Sequence, residues 1–171
     1  QTIRTKYSHY LLLDQSNNYQ ISMHFRLGDY KDIQEFHNLL PASYYEKALK
    51  HLFSAKGIRE GNIHVQILYF CEKEDNETVG RVIDQLKTSM DYVGLTFVKV
   101  DDEIIDWEQM LLMSCCDSHI IANSSFSWWG AYFNVSEDKI VCYPSVWFGP
   151  RLSSTNNTDS MFPPSWNQII L

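Results

Sequence analysis

Two hydrophobic spacings alternate along this chain. Short β-branched or continuous apolar runs at residues 19–25, 62–71, 94–100, 118–122 and 139–143 predict five strands. Between them the spacing changes to that of a helix. Pro41 suits a first helical turn, Tyr45, Leu49, Leu52 and Phe53 then share one face, and Gly57 marks the stop. Val79, Val82, Ile83, Leu86 and Met90 repeat the pattern, and residues 106–116 and 126–134 read as two further apolar helices. Residues 3–13 predict a helical lead-in, and Gln15 to Asn18 a polar turn. A turn-rich tail closes on Met161-Phe162-Pro163-Pro164-Ser165-Trp166.

Strands that alternate with helices call for right-handed crossovers and a parallel sheet. The fold class is therefore α/β, a Rossmann-like parallel sheet of about five strands with helices on both faces. In the order 3-2-1-4-5, assumed from the fold class, strands one and four meet at the switch point, and ligands bind outside their carboxyl ends.

The composition suits a single domain over residues 1–171: 44% of the residues are hydrophobic and 14% aromatic, with only seven Gly and five Pro. Fourteen basic residues against 21 acidic give a net charge of -7 without a basic run, which argues against nucleic acid as a partner. No apolar stretch approaches the roughly 18 residues of a membrane span. The first residues lack the apolar centre of a signal peptide, and with no initiating Met the chain reads as a segment of a longer one. Cys71, Cys115, Cys116 and Cys142 lack metal-site spacing and read as core thiols, which favours a reducing compartment.

The chemistry concentrates where two predicted strands end. The first ends in His24-Phe25-Arg26-Leu27-Gly28-Asp29. A guanidinium at Arg26 can grip phosphate oxygens in two parallel hydrogen bonds, and Asp29 can orient it or meet a hydroxyl. His24, two residues earlier, projects to the same side of an extended strand. An isolated motif of this kind is also what a surface ion pair beside a core histidine looks like. The second strand ends in Asn123-Ser124-Ser125-Phe126-Ser127-Trp128-Trp129-Gly130-Ala131, a hydroxyl-rich helix start whose free N–H groups favour an anion. Trp128 and Trp129 suit core packing, with a sugar-facing indole as the other reading. A diphosphate fits between the two segments.

The two motifs in this order, followed by Pro144-Ser145-Val146-Trp147-Phe148, resemble the α-1,2-fucosyltransferases of glycosyltransferase family 11. The apolar helix from Trp107 to Cys116 and the closing Phe162-Pro163-Pro164-Ser165-Trp166 extend the likeness over residues 19–170. The resemblance implies an inverting, metal-independent enzyme of the GT-B fold that moves L-fucose from GDP-fucose to a sugar hydroxyl, α-1,2 to galactose. It implies that this chain is the donor-binding half, with a GDP-sugar donor, a glycan acceptor, an acceptor domain preceding it and no cofactor. His24, Arg26 and Asp29, with Asn123, Ser124, Ser125, Phe126 and Ser127, are then the donor-binding set. Two positions depart from the family. Leu27 stands where many relatives carry a second Arg, and Gln109 where an acidic residue helps recognise guanine.

Inversion needs a base within hydrogen-bond reach of the acceptor hydroxyl. Asp29, Asp32 and Glu35 in the loop after the first strand are candidates, as is a residue of the preceding domain. A departing diphosphate can be stabilised by Arg and helix N–H groups without a cation. Asp101-Asp102-Glu103 reads as solvated carboxylates near a helix start rather than a metal site. Two alternatives stay open: a transferase using another nucleotide sugar, and a non-catalytic GDP- or glycan-binding module. No P-loop sequence occurs.

Overall fold

The computed structural model describes residues 2–12, 16–61 and 63–171. The end of the predicted lead-in at Leu13, the first residue of the polar turn, Gln15, and the first of the second predicted strand, Asn62, lie outside the described residues. Six parallel strands form one sheet: β1 (Asn18–His24), β2 (His64–Phe70), β3 (Leu95–Lys99), β4 (Ser118–Ile120), β5 (Val141–Pro144) and β6 (Asn167–Ile169). Their order is β3-β2-β1-β4-β5-β6, so the chain starts in mid-sheet, winds outward and reverses between β1 and β4. This is the expected order, extended by one strand. β6 is absent from the sequence reading because three residues after a Pro-Pro turn carry no period. Pairing of Tyr143 with Gln168 and Pro144 with Ile169 creates it.

Helices α1 (Ile3–Lys6), α2 (Ala42–Lys56), α3 (Asn76–Met90), α4 (Asp106–Met113), α5 (Ser125–Tyr132) and α6 (Pro150–Ser153) make the connections. The continuous lead-in helix predicted for residues 3–13 is instead α1 followed by a 3-10 turn, Ser8–Tyr10, broken where Tyr7 leaves helical geometry at φ -113°. Glu108 of α4 ties this segment down: Lys6 Nζ lies 2.6 Å from its Oε1, and Tyr7 Oη donates to its Oε2 at 2.7 Å. Gly57 adopts φ +63° and ends α2, as the pattern predicts.

The period of two sorts each strand's side chains between two faces. Ile21, Met23, Val65 and Ile67 pack on Tyr45, Leu49 and Leu52 of α2 and Val79 and Ile83 of α3. On the other face Leu68 and Phe70 meet Leu112 and Met113 of α4 with Tyr7 and Leu11. Ala131, Val141, Trp147 and Trp166 form a third cluster near the sheet edge.

The same face of β1 is polar. Gln20, Ser22 and His24 are all buried there, and burial obliges polar groups to find partners. Gln20 Nε2 donates to Tyr10 O and to Gln66 Oε1. Ser22 Oγ lies 2.7 Å from His119 Nδ1, and Asn134 Nδ2 is 2.8 Å from the other ring nitrogen. Ser136 N–H donates to Asn134 Oδ1, so the Asn134 amide turns its NH2 toward His119. His119 therefore accepts at Nε2 and carries its proton on Nδ1, as a neutral ring. Its pKa is lowered to about 3 by burial, with Lys139 adding to the shift. His24 closes the row at the carboxyl end of β1.

Candidate functional site

His24 differs from its row-mates. It is 7% exposed, and its buried Nδ1 has no hydrogen-bond partner among the described residues. Burial, aided by the charge of Arg26, lowers its pKa to about 3, so the ring is neutral at ordinary pH. The ring lies 5.3 Å, centroid to centroid, from that of Phe126 in the first turn of α5. The two motifs thus touch across the switch point.

A cleft of about 190 Å³ opens over these rings, at the carboxyl ends of β1, β2 and β3. His24, Arg26 and Phe126 line it together with Glu72, Lys73 and Gln109. Arg26 is bracketed by carboxylates: Nη2 meets Asp29 Oδ1 at 2.7 Å and Nη1 meets Glu72 Oε1 at 3.4 Å. Its Cζ sits 5.1 Å from the Tyr30 ring centroid, and Tyr30 stacks on His37 at 4.4 Å. The guanidinium is held in place while its bond to Glu72 is long enough to exchange for a better anion.

The loop beneath Arg26 is fastened as well. Gly28 takes φ +39°, which favours glycine, and its N–H donates to Asp75 Oδ2 at 2.8 Å. Asp75 is fully buried and also receives Lys31 Nζ.

On the α5 side the hydroxyls divide. Ser124 is the N-cap, its Oγ accepting from Phe126 N–H at 3.3 Å. Ser127 is buried and donates back to Ser124 O. Ser125 is exposed at the helix start. The first-turn N–H groups not taken by the cap remain available to an anion. Asn123 has another task. Its Nδ2 donates to Asn38 O at 3.0 Å and Trp147 O at 3.1 Å, stapling two loops together. Trp128 packs on Tyr132 and Trp166 and donates through Nε1 to Met161 O, the core role of its two readings, whereas Trp129 is half-exposed. Gly130 abuts Met113 of α4 rather than the sheet: a Cβ there would come within 2.8 Å of Met113 Sδ.

The candidate bases are spread out. Asp29 stays at the cleft through Arg26, Glu35 pairs with Arg151 at 3.1 Å, and Asp32 is exposed. In the acidic triplet Asp102 accepts from Lys99 and Asn76, and Glu103 pairs with Lys73. Burial works to raise the Asp102 pKa, but these hydrogen bonds outweigh it and the net shift is downward. Glu72 and Lys73 were not singled out from sequence. They follow β2 directly, and only the pairing of β2 with β1 brings them beside Arg26.

Fold and cleft together define a Rossmann-like unit with a carboxylate-bracketed arginine and a capped helix start at its switch point. The chain belongs to glycosyl transferase family 11, whose family model matches residues 4–170. It is 34% identical over 142 residues to an Escherichia coli protein named O-antigen biosynthesis glycosyltransferase WbnK, covering 81% of this chain and 42% of that one. It is 31% identical over 152 residues to an Escherichia coli alpha-1,2-colitosyltransferase, covering 87% of this chain and 47% of the relative. The chain thus spans less than half the length of these curated relatives. Among solved structures, a glycosyl transferase of family 9 from Veillonella parvula matches with a TM-score of 0.55 at 16% identity, over 99% of this chain and 39% of that one, which is a likeness of fold.

Proposed function

We propose that this chain is the donor-binding half of an inverting α-1,2-fucosyltransferase of the GT-B fold, which uses GDP-fucose without a metal ion. The observation that carries the reading is Arg26, held at the switch point by Asp29 and Tyr30 within reach of exchange from Glu72 to a phosphate. Family membership and the α-1,2 linkage in one relative's name support the transfer chemistry.

In this reading the diphosphate lies between Arg26 and the α5 N-terminus. Arg26 supplies a charge-assisted pair of hydrogen bonds, and the first-turn N–H groups of α5 supply the rest. Both stabilise negative charge as it develops on the leaving phosphate, and both are in place beforehand. His24, a neutral ring lining the cleft, contributes one hydrogen bond from a dry position. Gln109 lines the same cleft with its Nε2 committed to Ile104 O at 2.7 Å, which leaves its carbonyl oxygen as the acceptor it can offer a nucleobase. The base that receives the acceptor proton comes from Asp29 or Asp32 on the β1–α2 loop, or from the acceptor-binding domain of the full protein.

A second reading is a transferase that uses a different nucleotide sugar. It is favoured by Gln109 and by the colitose in one relative's name. Titration calorimetry with GDP, GDP-fucose, UDP and UDP-glucose separates guanine from uridine donors, and comparison of GDP-fucose with GDP reads what the fucose adds. Binding of GDP and GDP-fucose with no UDP response supports the first, and preference for a uridine nucleotide rejects it.

A further inference from the structure

A second groove, of about 480 Å³, lies on the other side of the switch point at the carboxyl end of β5. That volume falls within the roughly 300–1,000 Å³ of small-molecule sites. Its apolar wall is Val146, Trp147, Phe148 and Pro150, and the neutral polar residues Asn38, Ser145, Ser153, Asn156 and Thr158 complete the lining. None of its lining residues is charged. A phosphate has nothing to pair with here. A ring that is apolar on its faces and hydroxylated at its rim finds both kinds of partner.

The groove is also built before anything enters it. Asn38 Nδ2 donates to Phe148 O at 3.0 Å, and Asn123 Nδ2 joins Asn38 O to Trp147 O. Gly149 N–H donates to Phe36 O at 2.6 Å, and Arg151 N–H to Glu35 O at 2.9 Å. A Cβ on Gly149 would lie 2.5 Å from Glu35 O, so only glycine lets the two loop segments of this wall approach so closely. A chain of contacts leads from here to the donor cleft: Arg26 lies over Tyr30, Tyr30 Oη donates to Asn123 O, and Asn123 holds both groove walls. A fixed, uncharged groove coupled to the phosphate-gripping arginine is where a second, neutral substrate belongs.

We propose that this groove is a pyranose subsite for the acceptor glycan, located on the donor half itself. The proposal rests on reading the chain as a glycosyltransferase donor half, and commits to the acceptor's sugar rather than the donor's. The test follows backbone amide signals of the chain by NMR during titration with methyl β-D-galactoside, with GDP and GDP-fucose each titrated separately. The expected result is that the galactoside shifts the amides of residues 145–148 and 153–158 in the absence of nucleotide. Ser153→Trp, an exposed position that fills the groove, weakens this by about tenfold or more, equivalent to about 1.4 kcal/mol, and leaves GDP affinity unchanged. A galactoside that shifts nothing at millimolar concentration, or groove shifts produced only by GDP-fucose, overturns the assignment. Failure of GDP to bind while the galactoside still shifts the groove rejects the donor reading and leaves the sugar subsite standing.

Discussion

The rings of His24 and Phe126, from two motifs far apart in the chain, lie 5.3 Å apart at the switch point of the sheet, and the buried Nδ1 of His24 has no partner among the described residues. His24 is held neutral first by burial and second by the positive charge of Arg26. A diphosphate beside Arg26 cancels the second influence and leaves the first. GDP is therefore expected to raise the His24 pKa above its unliganded value of about 3. Ring nitrogen shifts followed by NMR through an acid titration, with and without GDP, read this directly. An unchanged or lower pKa in the complex places the phosphates elsewhere.

The two buried histidines also fix the sign of the acid response. His24 and His119 have pKa values lowered to about 3 in the folded chain, against about 6.5 when unfolded. Below pH 6.5 the unfolded rings take up protons that the folded rings refuse. Their contribution is fully present above about pH 6.5 and is lost as pH falls toward 3. The slope approaches roughly 2.7 kcal/mol per pH unit where both rings differ fully in protonation. Urea unfolding at pH 7, 6 and 5 checks this, and a midpoint that does not fall contradicts neutral, buried rings.

Two glycines should respond oppositely to alanine. Gly149 faces Glu35 O at 2.5 Å, and both partners are backbone, so Gly149→Ala forces the walls apart and is expected to cost about 1–3 kcal/mol. Gly80, inside α3, has nothing within 4 Å of the added Cβ, and Gly80→Ala is expected to stabilise by about 0.5–1 kcal/mol. Thermal or urea unfolding of the two variants provides the comparison. A tolerated Gly149→Ala removes the argument for a rigid groove.

Glu72 competes with phosphate for Arg26 in the proposed site. It is exposed and its contact is long, so Glu72→Gln leaves the fold intact and is expected to tighten GDP binding by a factor of about two to five, the scale of an exposed ion pair. Weaker GDP binding in this variant shows that Glu72 holds the ligand or positions Arg26 for it.

What could be read from sequence follows the range of each interaction. The helix and strand pattern is local, and from residue 18 to residue 144 it appears within a few residues of the predicted bounds. β6 could not be read, because its existence depends on Cys142 to Pro144 offering a free edge. The burial of Gln20 and Ser22 on one face of β1 was not legible, since their partners Gln66 and His119 are distant in sequence. In the cleft, His24 and Arg26 were visible because a strand end and a charge sit together in the chain. Glu72, Lys73 and Asp106 reach it only through sheet pairing. Asn123 was visible beside a serine-rich helix start, but the bonds its Nδ2 makes to Asn38 O and Trp147 O were not, because both partners are distant in the chain.

The proposed function turns on Arg26 holding a nucleotide diphosphate at this switch point. Calorimetric titration of GDP into the wild-type chain and into Arg26→Ala tests it most directly. Circular dichroism and a thermal melt confirm that the variant is folded. Loss of roughly 1.5–3 kcal/mol of binding free energy in a folded variant is the expected result, the range for a charge-assisted contact. Equal GDP affinity in the two proteins contradicts the account.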